Sequence, residues 1–250
     1  MNSSVQDAVS HCSVTTRILC LTKIQFNLAW KIALVHQGYS SPKILDSYNE
    51  ERLPVIAEML NKTTELHHKV MKLTDGDIRR GPELNQLGVN CRGSSIVYED
   101  EPDAPAAKWP GYNKDSESAA RAGDRAPEAP KLKPAGAADG FTSLFSIFSP
   151  SKHTVLRFSE SEDDRKSLFK FLKTLPKGTV QSAVILNPTS PFPTNDDCDI
   201  VLVDEEGHAH NGYHVADDTF SIFVVRPDGV IGARIRSVEG VEEYFKRLFA

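Results

Sequence analysis

Four residues, Arg226-Pro227-Asp228-Gly229, stand between two apolar runs, TFSIFVV at 219–225 and VIGARI at 230–235. Proline presets φ for a turn, aspartate bonds back onto the turn backbone and glycine supplies a positive φ, so the segment reads as a β-hairpin. An isolated hairpin is marginal in water, so the rest of this half must cover it. The segments upstream supply the cover. HTVLRFS at 153–159 reads as a strand and DDRKSLFKFLKT at 163–174 as a helix. The helix carries acids at its start and lysines at its end, matching its dipole. VQSAVIL at 180–186 and CDIVLV at 198–203 read as strands, and EEGHAHNGYHV as a short helix or turn. A last helix begins near Val238, and FTSLFSIFS at 141–149 forms a short amphipathic helix.

The N-terminal half has a different texture. FNLAWKIALVHQ at 26–37 reads as a mostly buried helix with Gly38 at its C-cap. Ser41-Pro42 provides an N-cap and first-turn pair for a second helix reaching about Leu73. Leu45, Tyr48, Leu53, Ile56, Met59 and Leu60 are assigned to its apolar face, and Pro54 is expected to kink or split it. Residues 74–138 are rich in Gly, Pro, Ala and charge and read as a long, partly disordered connector.

Bulk composition excludes several classes. Thirty-four acidic against 29 basic residues give a net charge of −5, which offers no electrostatic case for nucleic acid or an anionic membrane. No apolar run approaches the ~18 residues of a membrane span, and the expected location is cytoplasmic. Cys12, Cys20, Cys91 and Cys198 are scattered without CxxC spacing, which fits a reducing compartment and neither zinc knuckle nor redox dithiol. His67-His68 and the group His208, His210 and His214 lack matching carboxylates and read as solvated polar positions.

The order of elements after Gly140 is close to that of a thioredoxin-like domain. The stretch after the first strand, where a thiol enzyme places its cysteine, is SESEDD. This disfavours a thiol peroxidase and favours docking or dimerisation.

Dispersed motifs carry a wider resemblance: Met1-Asn2, Val5-Gln6-Asp7-Ala8, Phe26-Asn27-Leu28-Ala29-Trp30-Lys31-Ile32-Ala33, and Ile44-Leu45-Asp46-Ser47-Tyr48-Asn49-Glu50-Glu51-Arg52-Leu53-Pro54. Leu87-Gly88-Val89 with Ser94-Ser95, Ala122-Gly123-Asp124-Arg125-Ala126-Pro127 and Val225-Arg226-Pro227-Asp228-Gly229 follow in order. Together they resemble the phenol-hydroxylase (phenol 2-monooxygenase) type of FAD-dependent aromatic monooxygenase. The resemblance implies an α/β chain: the helical C-terminal remnant of an FAD-binding (PHBH-like) domain at 1–100, a linker at 101–139, and a thioredoxin-like dimerisation domain at 140–250. Removing Val9 to Gln25 joins the flavin motif without a gap, so these 17 residues read as an unspliced intron in frame, with a real loop insertion as the alternative.

The resemblance implies further expectations. In such enzymes a flavin reduced by NAD(P)H activates O2 to hydroxylate a phenol. Met1 and Asn2 would touch FAD, and Gln6 and Asp7 would lie in the helix that faces it. Trp30 is expected in the core, Arg52 in a structural ion pair, and Arg226 orienting the turn or an interface. No G-x-G-x-x-G fingerprint is found, so the expectation is an inactive fragment that does not retain FAD, or a non-enzymatic interaction protein. Partners would be FAD, NAD(P)H, an aromatic substrate, and a second copy or paralogue through 140–250. The helices before about Ala120 are expected to be poorly ordered alone, while Gly140 onward folds.

Overall fold

The structure is a computed structural model and describes residues 25–72, 88–100, 120–136, 140–158, 162–188, 198–215 and 221–249. Val9 to Ile24 of the expected insert, together with Met1, Asn2, Gln6 and Asp7, lie outside the described residues; Gln25 opens the first helix.

Seven strands form one sheet in the order β1-β7-β6-β3-β4-β5-β2. Its centre is β3 (His153–Phe158), paired parallel with β4 (Val180–Leu186) and antiparallel with β6 (Ser221–Val225). β5 (Ile200–Val203) extends the parallel side, and β7 (Ile231–Ile235) closes the hairpin on β6. All six residues of β3 are buried, as expected of a strand covered on both faces. Alternation then divides its side chains. Leu156 and Phe158 join Phe223, Val225, Ala183 and Ile185 beneath α5 (His208–Tyr213), α3 (Leu144–Ile147) and residues 126–132. Val155 joins Ile222, Val224, Ala233 and Ile235 beneath α4 (Glu162–Leu172) and α6 (Val238–Leu248). Ser237 caps α6, its Oγ accepting from Gly240 N at 3.2 Å.

The elements expected after Gly140 form where the pattern places them; their assembly differs. α1 (25–36) and the 3-10 turn Pro42–Leu45 lie on the α4/α6 face, where Trp30, Leu34 and Ile44 share a core with Val155, Val224, Tyr244 and Phe245. The expected succession of a helical FAD-binding (PHBH-like) remnant and a separate thioredoxin-like domain is therefore corrected. Two short strands continue the same sheet: β1 (Tyr98–Glu99) parallel to β7, and β2 (Lys133–Pro134) antiparallel to β5. The described parts of the expected connector thus cap both sheet edges, which would otherwise offer unpaired backbone groups. Residues 88–97 run as turns and irregular backbone with a bridge at Val89, and β1 begins at Tyr98.

α2 (Asp46–Lys72) runs through Pro54 without a break in assignment. Pro54 and Glu50, whose carbonyl loses its usual donor, are both exposed, so water can satisfy that oxygen. Gly38 adopts φ +74° at the end of α1, as a C-cap requires. Gly123, at φ +94°, has a stricter role. A Cβ there would sit 2.5 Å from the Arg92 backbone. Cys91 N donates to Gly123 O at 2.7 Å and Gly123 N to Ile231 O at 2.7 Å, tying residues 91–92 to the end of β7.

Candidate functional site

The most heavily built polar cluster among the described residues lies where α1, α2 and the β6–β7 hairpin meet. Residues 27, 30 and 31 fall on one face of α1 by helical spacing, and all three turn inward. Glu51 sits on the buried face of α2 with Ser47 and Val55. Its Oε1 accepts from Arg226 Nη1 at 2.7 Å and Ser94 Oγ at 2.8 Å. Its Oε2 accepts from Arg226 Nη2 at 2.9 Å, Lys31 Nζ at 3.1 Å and Asn27 Nδ2. Arg226 also donates through Nε to Asp228 Oδ1 at 3.0 Å and through Nη2 to Asp228 Oδ2. Asn27 Nδ2 reaches the same Asp228 oxygen at 2.9 Å. The guanidinium lies 5.2 Å from the Trp30 ring centroid, a cation–π arrangement.

The charges of Lys31, Arg226, Glu51 and Asp228 sum to zero, and the side chains of Lys31, Glu51 and Arg226 are completely buried. Burial alone would raise the carboxyl pKa values. The adjacent Arg226 overrides it, holding Glu51 and Asp228 below the usual carboxylate range. Lys31 is lowered to about 8 by burial, with Arg226 adding repulsion. A buried network of this kind tolerates neither loss of one partner nor a change of geometry.

Beside it, His153 lies among Trp30, Tyr244, Phe245 and Phe249, its ring 5.2 Å from that of Trp30 at 87°. Burial lowers its pKa to about 3. Arg52, expected in an ion pair, donates instead to Cys91 Sγ at 3.1 Å; burial raises that thiol to about 11. Trp30 is in the core as expected. Arg226 orients its own turn and also fastens two helices to it, a role the turn motif does not announce.

The histidine group separates. His210 Nδ1 meets Asp204 Oδ2 at 2.8 Å, and the same oxygen accepts from Ala209 N and His210 N, so the pair caps α5. His208 pairs with exposed Glu206 at 3.0 Å. Among the described residues no group of three or more His, Cys, Asp or Glu is arranged to hold a metal ion. No described helix is long and apolar enough to cross a membrane.

Glu51 was not singled out from the sequence. Its signal was available: it lies four residues from Ser47 and Val55, and seven from Ile44, on what proves to be the buried face. The apolar face assigned instead was wrong in part. Leu53 is 62% and Leu60 56% exposed, and on α1 Phe26 and Ile32 are 50% and 48% exposed.

A family model described as an FAD binding domain matches residues 24–63, the segment containing α1 and most of α2. A flavin-dependent monooxygenase of Mycobacteroides abscessus is 28% identical over 99% of this chain and 36% of its own length. Pentachlorophenol 4-monooxygenase of Sphingobium chlorophenolicum is 34% identical over 42% of this chain and 19% of its own length. The crystal structure of the flavin-dependent monooxygenase PieE in complex with FAD and substrate superimposes with a TM-score of 0.62. It covers 91% of this chain and 44% of that one at 18% identity. RebC soaked with K252c gives a TM-score of 0.56 over 90% of this chain and 40% of its own, at 18% identity. The fold is that of a portion of these flavin-dependent monooxygenases. The chain spans about a third of the length of its Mycobacteroides relative.

These matches correct four expectations. The likeness is not that of a C-terminal phenol-hydroxylase fragment, since it runs through 99% of the chain and includes an FAD-binding match near the N-terminus. The fold likeness likewise spans both halves, in place of a remnant joined to a thioredoxin-like domain. Inactivity inferred from a missing dinucleotide fingerprint does not follow, because an FAD-binding signature is present at 24–63. Loss of FAD does not follow for the same reason.

Within that match, the buried polar residues serve the packing of the protein itself. Asn27, Lys31, Glu51 and Arg52 are all buried and engaged within the protein. What they build is the support on which α1 rests.

Proposed function

We propose that this chain serves FAD-dependent monooxygenation of an aromatic, phenol-type substrate with NAD(P)H and O2. The observation that carries the reading is the FAD-binding match at 24–63, which falls on the two helices fastened to the sheet by Glu51 and Arg226. Likeness to pentachlorophenol 4-monooxygenase and to 2,4-dichlorophenol 6-monooxygenase of Delftia acidovorans, the latter 39% identical over 61 residues, supports a phenolic substrate class. In this reading Met1 and Asn2 contact FAD, and Gln6 and Asp7 belong to the helix that faces it. The chain divides functionally at about 100 and 139, and copies pair through 140–250.

Titration of the purified chain with FAD, followed by flavin fluorescence and by absorbance after desalting, tests the reading. Saturable binding near one FAD per chain is the expected result. No retention at micromolar FAD overturns it. Light scattering coupled to gel filtration reads the pairing, with a dimer expected and a monomer at all concentrations excluding it.

A further inference from the structure

We propose that Arg226 is a positioning residue for the FAD-matched helices: its fork holds Glu51 and Asp228 so that α1 is set in one orientation on the sheet. The contacts are distributed in a way that mere filling of a core does not require. Asn27, Trp30 and Lys31 of α1 all end on this one ion group: Asn27 bonds to both Glu51 and Asp228, Lys31 bonds to Glu51, and Trp30 faces the guanidinium. Glu51 in turn fixes α2 and, through Ser94, the segment leading to β1. The partners are far apart in sequence, Glu51 and Arg226 by 175 positions and Asn27 and Asp228 by 201.

Geometry favours arginine here. Nη1 and Nη2 each take one oxygen of Glu51 while Nε and Nη2 take Asp228, so both acids are fixed by one planar group. A lysine would keep the charge and lose the fork. Glu51 would then turn, and Asn27 and Lys31 with it. The proposal rests on the FAD reading only for its consequence, that residues ahead of α1 meet a ligand from a preset helix.

The test compares the wild-type chain with Arg226→Lys by amide hydrogen exchange and by FAD titration. The expected result is at least tenfold faster exchange across 25–36 with β3 and β4 still protected, and at least tenfold weaker FAD binding. Unchanged exchange in α1, or equal loosening of α1 and the sheet, overturns the proposal. Should Arg226→Lys fail to fold, Asn27→Ser decides. It leaves the Arg226–Glu51 pair in place and removes the bonds from Asn27 to Glu51 and Asp228; the same α1-confined loosening is expected, with no change overturning the idea. If wild type takes up no FAD, the functional reading fails while the exchange comparison still decides the positioning role.

Discussion

Two residues place strict demands on the backbone and on protonation. At Gly123 a methyl group meets both the N and Cα of Arg92 at 2.5 Å, and φ is +94°. Gly136 has a similar φ of +78° and open space around its absent Cβ. Gly136→Ala should therefore cost only the left-handed backbone term, roughly 1 kcal/mol. Gly123→Ala should cost at least about 2 kcal/mol more, because the obstacle is backbone that cannot rotate away. Paired denaturant melts check the difference, and equal costs would mean that residues 91–92 can move aside. At His153 the folded pKa lies near 3 and the ordinary value is 6.5. The unfolded chain thus binds the proton first on acidification. Stability contributed by neutral His153 is complete above pH 6.5 and is lost as pH falls toward 3, by roughly 4 kcal/mol at pH 3. His153→Phe should flatten that part of the stability profile relative to wild type. Parallel acid dependence in the two proteins would show that His153 is not the titrating group.

At the scale of the element, the sequence reported its own strands and helices well and their faces unevenly. β3, β4, the Pro-Asp-Gly hairpin and α6 follow from runs of apolar residues bounded by turn chemistry, which depends only on neighbours in sequence. The faces of α1 and α2 do not. α1 buries Asn27 and Lys31 alongside Trp30 and Leu34 and exposes Phe26 and Ile32, because the polar pair finds partners, Glu51 and Asp228, in distant segments. Hydrophobic periodicity has no means of seeing a buried ion group whose members lie 175 residues apart. Pro54 does not split α2, because its penalty falls on the carbonyl of Glu50, an exposed residue. The exposure of Leu53 and Leu60 predicts that Leu53→Glu with Leu60→Glu leaves stability within about 0.5 kcal/mol of wild type per site. It should also reduce self-association at high concentration, because an exposed apolar stripe is removed. Thermal melting and light scattering check both parts, and a large fall in melting temperature would place these side chains in a packed interface.

Across the whole molecule, the question is whether Gly140 to Ala250 forms a unit that folds without what precedes it. Its pattern of elements argues for independence, and the packing argues against it. Trp30, Leu34 and Ile44 cover one face of the sheet, and Ala126, Ala129 and Leu132 help cover the other. Losing the first three covers removes about 1.5–3 kcal/mol each. Losing Glu51 removes half of the counter-charge of a buried Arg226, worth about 3–5 kcal/mol. The edges of β7 and β5 would also lose β1 and β2. Together these losses approach the whole ~5–15 kcal/mol of net stability typical of a domain. Residues 140–250 expressed alone should therefore bind hydrophobic dye and melt without a sharp transition, while 25–250 unfolds in a single cooperative step that α1 shares with the sheet. Coincident loss of α1 and β3 amide protection in denaturant would establish that unity. A sharply melting 140–250 with a protected sheet would show instead that the helices and their ion group are an attachment to a self-sufficient sheet.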